Sequence, residues 1–530
     1  MTSALHASAS PLPDRPAPDP AAPAQPARPA ARRSRLTRTA AAVAGLSLVL
    51  AACSSDPGTK VQTGVDGTSP SAGADPSDGA SSAAPSTDGI EADLLPFYEQ
   101  TVEWSDCGSG FECADIEVPF DWDDPAADTV TLGAKRYLSS GERKGTVLIN
   151  PGGPGGSGVE FVQYVPFIFG KPLLEEFDVL GFDPRGVGES SPVACLSDAE
   201  RDVSDAKTYT SDDAGLAEMQ ADAKAFGEKC LENTGPVLGE VDTQSSARDM
   251  DVIRHVVGDA QLNYLGFSYG TQLGATYAGL YPENVGRMVL DGATDPSASA
   301  FDVGLAQTTG FRTSFESYMA ACLAGSGCPF RGSVDEGERT VSALLDRLDQ
   351  SPLRAADGLE LDGQVMRSAI DSALYSEQQW PELTTAFTEA LRGESATAFA
   401  LADSYFGRSP DGTYTGNFYE AFLAIQCIDY PVERDPSVLV TEAAEIRAAA
   451  GELADDDTSR DGEPDPLCGN WPYAAKQAPA PVSAEGAAPI VVVGTTGDPA
   501  TPYSWAEALA GQLSSGVLLT YEGEGHIAYD

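Results

Sequence analysis

The feature that most restricts this chain is a serine caught between a strand and a helix. The apolar run Leu262 to Leu265 leads into Gly266-Phe267-Ser268-Tyr269-Gly270, and residues 270 to 281 continue with helical spacing. Small residues at 266 and 270 let a strand turn abruptly into a helix, which leaves Ser268 exposed at the apex. Thr146 to Ile149, Phe177 to Phe182, Arg287 to Leu290 and Ile490 to Val493 read as further buried strands, and Thr243 to Val257 as a helix. Strand and helix alternating in this way predict an α/β architecture with a mainly parallel sheet covered on both faces.

A serine hydroxyl is a poor nucleophile at its free pKa and needs an adjacent base. The chain has three histidines, His6, His255 and His526. His6 falls in an N-terminal export segment. His255 belongs to the helix before the serine strand, where a structural role fits better, so His526 in Gly-Glu-Gly-His is the expected base. Asp498 follows the strand Ile490 to Val493 and stands between Ser268 and His526, where a carboxylate can orient an imidazole; the other reading is a plain turn aspartate in Gly-Asp-Pro. An oxyanion formed at Ser268 needs fixed N–H donors, and these are expected from Tyr269, the residue after the serine, and from Gly153 in the loop Asn150 to Gly158. That loop lacks the Gly-Lys-Ser/Thr ending of a phosphate loop.

The first 52 residues read as an export signal, with Arg32-Arg33 before an apolar stretch from Ala40 to Ala52 that is short for a membrane span. The stretch ends in Leu50-Ala51-Ala52-Cys53, which resembles a bacterial lipobox, so Cys53 is the expected lipidated residue of an exported, membrane-anchored protein. Residues 53 to 92 are then a disordered tether rich in Ser, Gly, Ala, Asp and Pro. Of nine cysteines, setting Cys53 aside leaves eight, an even number suited to disulfides in an oxidising compartment. They form four sequence-near couples: 107 with 113, 195 with 230, 322 with 328, and 427 with 468. No Cys/His cluster has zinc spacing, so neither a metal nor a cofactor is expected. The net charge of −48 argues against nucleic acid or anionic lipid as electrostatic partners.

Residues 93 to 296 and 486 to 530 carry the strand and helix alternation. Residues 297 to 485 are instead rich in Ala, Leu, Glu and Gln at helical spacing, as in Val341 to Leu348 and Trp380 to Leu391. They predict an inserted helical cap over the strand C-termini, where ligands bind in open α/β sheets.

The order Ser, Asp, His is that of an α/β-hydrolase triad. The chain resembles the tripeptidyl aminopeptidase group of α/β-hydrolases, exported actinobacterial proteins related to prolyl iminopeptidases. The resemblance rests on Asn150 to Gly158, Gly181-Phe182-Asp183-Pro184-Arg185-Gly186-Val187-Gly188-Glu189-Ser190, Ala247-Arg248-Asp249-Met250-Asp251, the turn at Ser268, Ala424-Ile425-Gln426-Cys427-Ile428-Asp429, and the Asp498 and His526 blocks. It implies an α/β-hydrolase fold and release of short peptides, often tripeptides, from free N-termini through an acyl-enzyme. Peptide amino termini would be the partners, met by an acidic or carbonyl-lined pocket of the cap, with Glu316 and Asp429 as candidates for substrate binding. An esterase or lipase on the same fold is the nearest alternative, and a lipoprotein that binds a ligand without catalysis is the alternative of another class. Members of the group continue into a final helix after the histidine loop, whereas this sequence runs four residues past His526; a shortened protein or a fragmentary gene model is the expectation that follows.

Overall fold

The computed structural model describes residues 85–355, 358–454 and 461–529. The expected export signal, Cys53 and most of the tether lie outside these residues.

The structure is an α/β-hydrolase fold built on a nine-stranded sheet. Its strands are β1 (Ser105–Gly108), β2 (Phe111–Pro119), β3 (Thr129–Tyr137), β4 (Gly145–Asn150), β5 (Phe177–Phe182), β6 (Leu262–Phe267) and β7 (Val285–Asp291). A two-stranded hairpin, β8 (Leu353–Arg354) with β9 (Glu360–Leu361), stands apart, and β10 (Ile490–Gly497) and β11 (Gly516–Glu524) complete the large sheet. The spatial order is β1-β2-β3-β5-β4-β6-β7-β10-β11. Neighbours are antiparallel as far as β5 and parallel from β5 to β11.

The five strands expected from apolar runs are all present. They are buried on both faces, as β6 shows by having every residue buried, and such strands announce themselves as continuous apolar sequence. β1, β2 and β3 carry no such run, and β11, which holds Val517 to Leu519, lies at the sheet edge with Val517 and Leu519 exposed. In β2 the buried residues Phe111, Ala114, Ile116 and Val118 alternate with half-buried or exposed Glu112, Asp115 and Glu117, because this antiparallel part of the sheet is partly wetted.

The helix Thr243–Val256 and the helix Tyr269–Leu280 pack on the sheet and on each other. Asp242 caps the first by accepting from Ser245 N at 2.9 Å. A buried ion pair joins this helix to the turn after β5. Arg185 is fully buried and donates from Nε and Nη2 to the two oxygens of Asp249 at 2.8 and 2.7 Å, and also to the carbonyls of Phe120 and Pro119. Trp122 Nε1 donates to the same carboxylate at 3.0 Å.

Between β7 and β10 the regular structure of the described residues is helical apart from the β8–β9 hairpin, and packing divides it into two. One part has its own core, running from Phe315 to Ala402, in which Tyr318, Phe330 and Phe387 are among the largest buried side chains. The helix Phe418–Asp429 returns instead to the core of the sheet, to which it gives Ala421, Ala424, Ile425, Cys427 and Ile428. Disulfides join Cys107 to Cys113, Cys195 to Cys230, Cys322 to Cys328 and Cys427 to Cys468, the four couples expected from spacing.

Candidate active site

Strand register brings four loops to one edge of the sheet. Asn150 of β4 is opposite Gly266 of β6, Phe267 of β6 is opposite Asp291 of β7, and Asp291 is opposite Val493 of β10. The glycine-rich loop, Ser268, Gly292 and the end of β10 therefore lie side by side.

Ser268 takes φ 54° and ψ −126°, a backbone conformation unusual for a residue with a side chain. Strain of this kind is about 1–3 kcal/mol and persists only where the surroundings over-determine it. Here Ser268 N donates to Asp291 O at 2.9 Å, and Ser268 O accepts from Thr271 N and Thr271 Oγ1 at 2.7 and 2.6 Å. Gly266 is required by contact rather than by torsion: a Cβ there would stand 2.4 Å from Gly270 O.

The loop after β4 wraps against the serine. Gly152 has φ +96°, and a Cβ on it would lie 2.5 Å from Phe267 O and 2.9 Å from Ser268 Cβ. Its amide donates to Asn150 Oδ1 at 2.9 Å, and its carbonyl accepts from Gly156 N at 3.1 Å. Asp183, at the end of β5, braces the far side of the loop by accepting from Ser157 Oγ at 2.6 Å and Val159 N at 3.1 Å. Among the described residues the amides of Gly153 and Tyr269 donate to no protein acceptor. The Phe418 ring lies against Gly153, its Cε2 2.9 Å from where a Cβ on that glycine would stand.

Asp498 and His526 meet at the same edge. His526 Nδ1 is 2.9 Å from both carboxylate oxygens. The carboxylate is fully buried and is held by Ala500 N at 3.0 Å, Thr501 N at 2.8 Å, Thr501 Oγ1 at 3.0 Å and Ile527 N at 3.2 Å. Because a carboxylate accepts, Nδ1 faces it as a donor, so the imidazole keeps its proton on Nδ1 and its lone pair on Nε2, as a base requires. Tyr375 fixes the ring from above: its carbonyl accepts from His526 N at 2.9 Å, and the two rings meet edge to face at 5.2 Å.

His255 has a different setting. It is buried in the helix Thr243–Val256, meets the Tyr98 ring edge to face at 5.1 Å, and has its pKa lowered by burial and by neighbouring Arg254.

The two acids singled out for substrate binding are engaged within the protein. Glu316 forms an ion pair with Arg312 one turn away at 3.1 Å. Asp429 accepts from Thr243 N at 2.9 Å and from Thr243 Oγ1, whose oxygen in turn receives the Tyr269 hydroxyl. Burial pushes the Asp429 carboxyl up to about 7. It borders a cavity of about 230 Å³ between Gln272, Tyr430 and Lys476, behind the helix that starts at Ser268. Asp429 thus anchors the residue that supplies the Tyr269 amide and has no contact with Asp498 or His526 among the described residues.

Three residues of this edge escaped sequence reading. Thr501 bonds both Asp498 and, at 3.2 Å, His526 Nδ1. Asp291 accepts Ser268 N on its carbonyl and carries a buried carboxylate beside the histidine loop. Tyr375 comes from the cap, more than a hundred residues from either partner in sequence. Only Asp291 had a visible signal, its place at the end of an apolar strand next to the serine strand. Among the described residues no cluster of His, Cys, Asp or Glu could hold a metal ion.

A serine on a strained strand-to-helix turn, an Asp–His pair at the neighbouring strand ends and a glycine loop facing the serine define a hydrolase of the serine type. Residues 145–530 match the alpha/beta hydrolase fold family, and the chain belongs to that family. It is 37% identical over 454 residues to the serine protease Hip1 of Mycobacterium tuberculosis, a match that spans 81% of this chain and 86% of that protein. It is also 37% identical over 426 residues to carboxylesterase B of Mycobacterium tuberculosis, spanning 78% of this chain and 80% of the relative. A tripeptidyl aminopeptidase of Streptomyces lividans is 28% identical over 451 residues, 80% of each chain.

Proposed function

We propose that the protein is a serine exopeptidase that releases short peptides, tripeptides in the first instance, from free N-termini. Ser268 Oγ attacks the scissile carbonyl carbon as His526 Nε2 takes the hydroxyl proton, and Asp498 stabilises the imidazolium that results. The amides of Gly153 and Tyr269 receive the oxyanion; each such donor is worth about 3 kcal/mol in the transition state. Collapse breaks the C–N bond, and His526 returns the proton to the leaving amine. A water then attacks the acyl-Ser268 ester by the same route in reverse, which frees the peptide and restores the serine.

The observation that carries the chemistry is the Asp498–His526 contact at 2.9 Å beside a serine with φ 54°. The peptide substrate rests on relatives named as a serine protease and a tripeptidyl aminopeptidase. The carboxylesterase reading has its own support in a relative of that name at 37% identity. Export and lipid anchoring at Cys53 complete the proposal and rest on the sequence Leu50-Ala51-Ala52-Cys53 alone.

Hydrolysis of chromogenic amides tests it, with mono-, di- and tripeptides offered unblocked and N-blocked beside a short acyl ester. Ser268-dependent cleavage limited to unblocked tripeptides is the expected result. Turnover of the ester with none of the amides would move the protein to the carboxylesterase reading, and binding without turnover to the ligand-binding one.

A further inference from the structure

Asp291 touches both halves of the site described above and takes no part in the mechanism as written. It closes β7, is 2% exposed, and pairs with Phe267 on one side and Val493 on the other. Its carbonyl accepts the Ser268 amide at 2.9 Å. Its carboxylate accepts from Ala528 N at 3.0 and 3.2 Å and from Tyr529 N at 2.9 Å, the two residues that follow the histidine loop by one and two positions after Ile527. Ser268 and His526 are 258 positions apart in sequence, and one residue bonds the Ser268 amide and the amides two and three residues beyond His526.

A buried carboxylate is expensive unless hydrogen-bonded, and this one is satisfied by main-chain donors alone. Burial raises the Asp291 pKa, the two amides and the nearby His526 oppose that shift, and the Asp498 charge adds to it.

We infer that Asp291 is a positioning residue, a clamp that holds the end of the histidine loop against the serine turn. This rests on the serine-hydrolase reading of the site. Asp291 acts through the histidine loop and touches no reacting atom. Loss of the clamp lets the histidine loop drift, and displacement of a catalytic group by about 1 Å can lower a rate about a hundredfold.

The test uses Asp291→Asn and Asp291→Ala in the full chain, with two readouts. The first is the midpoint of urea denaturation, which reports the stability of the whole fold. The second is the rate of inactivation by diisopropyl fluorophosphate as a function of pH. Asp291→Asn keeps an acceptor oxygen and the shape of the side chain, so its plateau rate should fall only about tenfold, with a denaturation midpoint close to the parent's. Asp291→Ala should lose about a hundredfold. Inactivation of Asp291→Ala at the parent's rate, or an Asp291→Asn variant that recovers none of the Ala loss, would overturn the clamp, because the retained acceptor oxygen is what the clamp requires. Parent protein that resists the reagent, with the same resistance in Ser268→Ala, would overturn the hydrolase reading and the clamp together.

Discussion

Gly497 stands opposite Glu524 in the parallel pairing of β10 with β11, and Asp498 and His526 leave these two strands within two residues of that pair. The 2.9 Å contact between them is therefore a consequence of sheet register, reinforced by the hydrogen bonds that Asp498 collects from its own turn. A slip of one residue would turn one of the two side chains away.

If Asp498 sets the tautomer of His526, Asp498→Asn should leave the fold intact and lower kcat by about four orders of magnitude, since an amide can present the wrong hydrogen-bonding group to Nδ1. Unchanged near-ultraviolet circular dichroism together with that loss would support the role. Activity within tenfold of the parent would place the orienting group elsewhere.

Gly152→Ala should reduce activity about a hundredfold with little change in KM. The added Cβ meets Phe267 O at 2.5 Å and Ser268 Cβ at 2.9 Å, in a backbone conformation with φ +96° that L side chains rarely adopt. Steady-state kinetics on any substrate that is turned over by Ser268 will measure it.

Much of this site could be read from the sequence, and the reason is local. Ser268, Asp498 and His526 each sit at the mouth of a strand, and the buried residues of β6 and β10 are mostly apolar, with Asn263 and Thr495 the polar ones. The glycine loop was legible because β4 before it reads the same way. Thr501 and Tyr375 were not, because their roles are made by tertiary contact: Thr501 looks like any residue in a turn, and Tyr375 reaches His526 only after the cap has folded. Glu316 and Asp429 were picked for charge, and charge alone does not tell a ligand-binding acid from one with an internal partner such as Arg312 or Thr243. The half-wetted strands β1, β2 and β3 lacked the continuous apolar run that marks a strand covered on both faces.

The motif around Arg185 has a structural explanation. Removing one partner of a buried ion pair leaves an uncompensated charge, so Asp249→Ala should destabilise the protein by about 3–5 kcal/mol. Urea denaturation compared with the parent checks this, and a change below about 1 kcal/mol would contradict it. Replacing both partners by apolar residues of similar volume should recover much of the loss.

Asp371 provides a pH-dependent test of the cap. It lines a cavity of about 230 Å³ with Phe311, Arg312 and Arg367, and burial pushes its carboxyl up to about 7. The unfolded chain would titrate near about 4. The folded state therefore holds the proton more tightly: the contribution of Asp371 is most favourable below about pH 4, declines as pH rises from about 4 to 7, and is fully unfavourable above 7. Asp371→Asn should stabilise the protein on the order of 2 kcal/mol at pH 8 and leave it unchanged at pH 4. Thermal unfolding at the two pH values decides it, and an equal effect at both would contradict the buried carboxyl.

The central claim, acyl transfer through Ser268, is tested most directly by pre-steady-state release of p-nitrophenol from the p-nitrophenyl ester of an unblocked tripeptide, with the quenched enzyme then digested and mapped by mass. The account predicts a burst close to one equivalent per chain and a tripeptidyl adduct on the peptide that contains Ser268, both lost in Ser268→Ala. A burst that survives Ser268→Ala, or an adduct on any other residue, would contradict it.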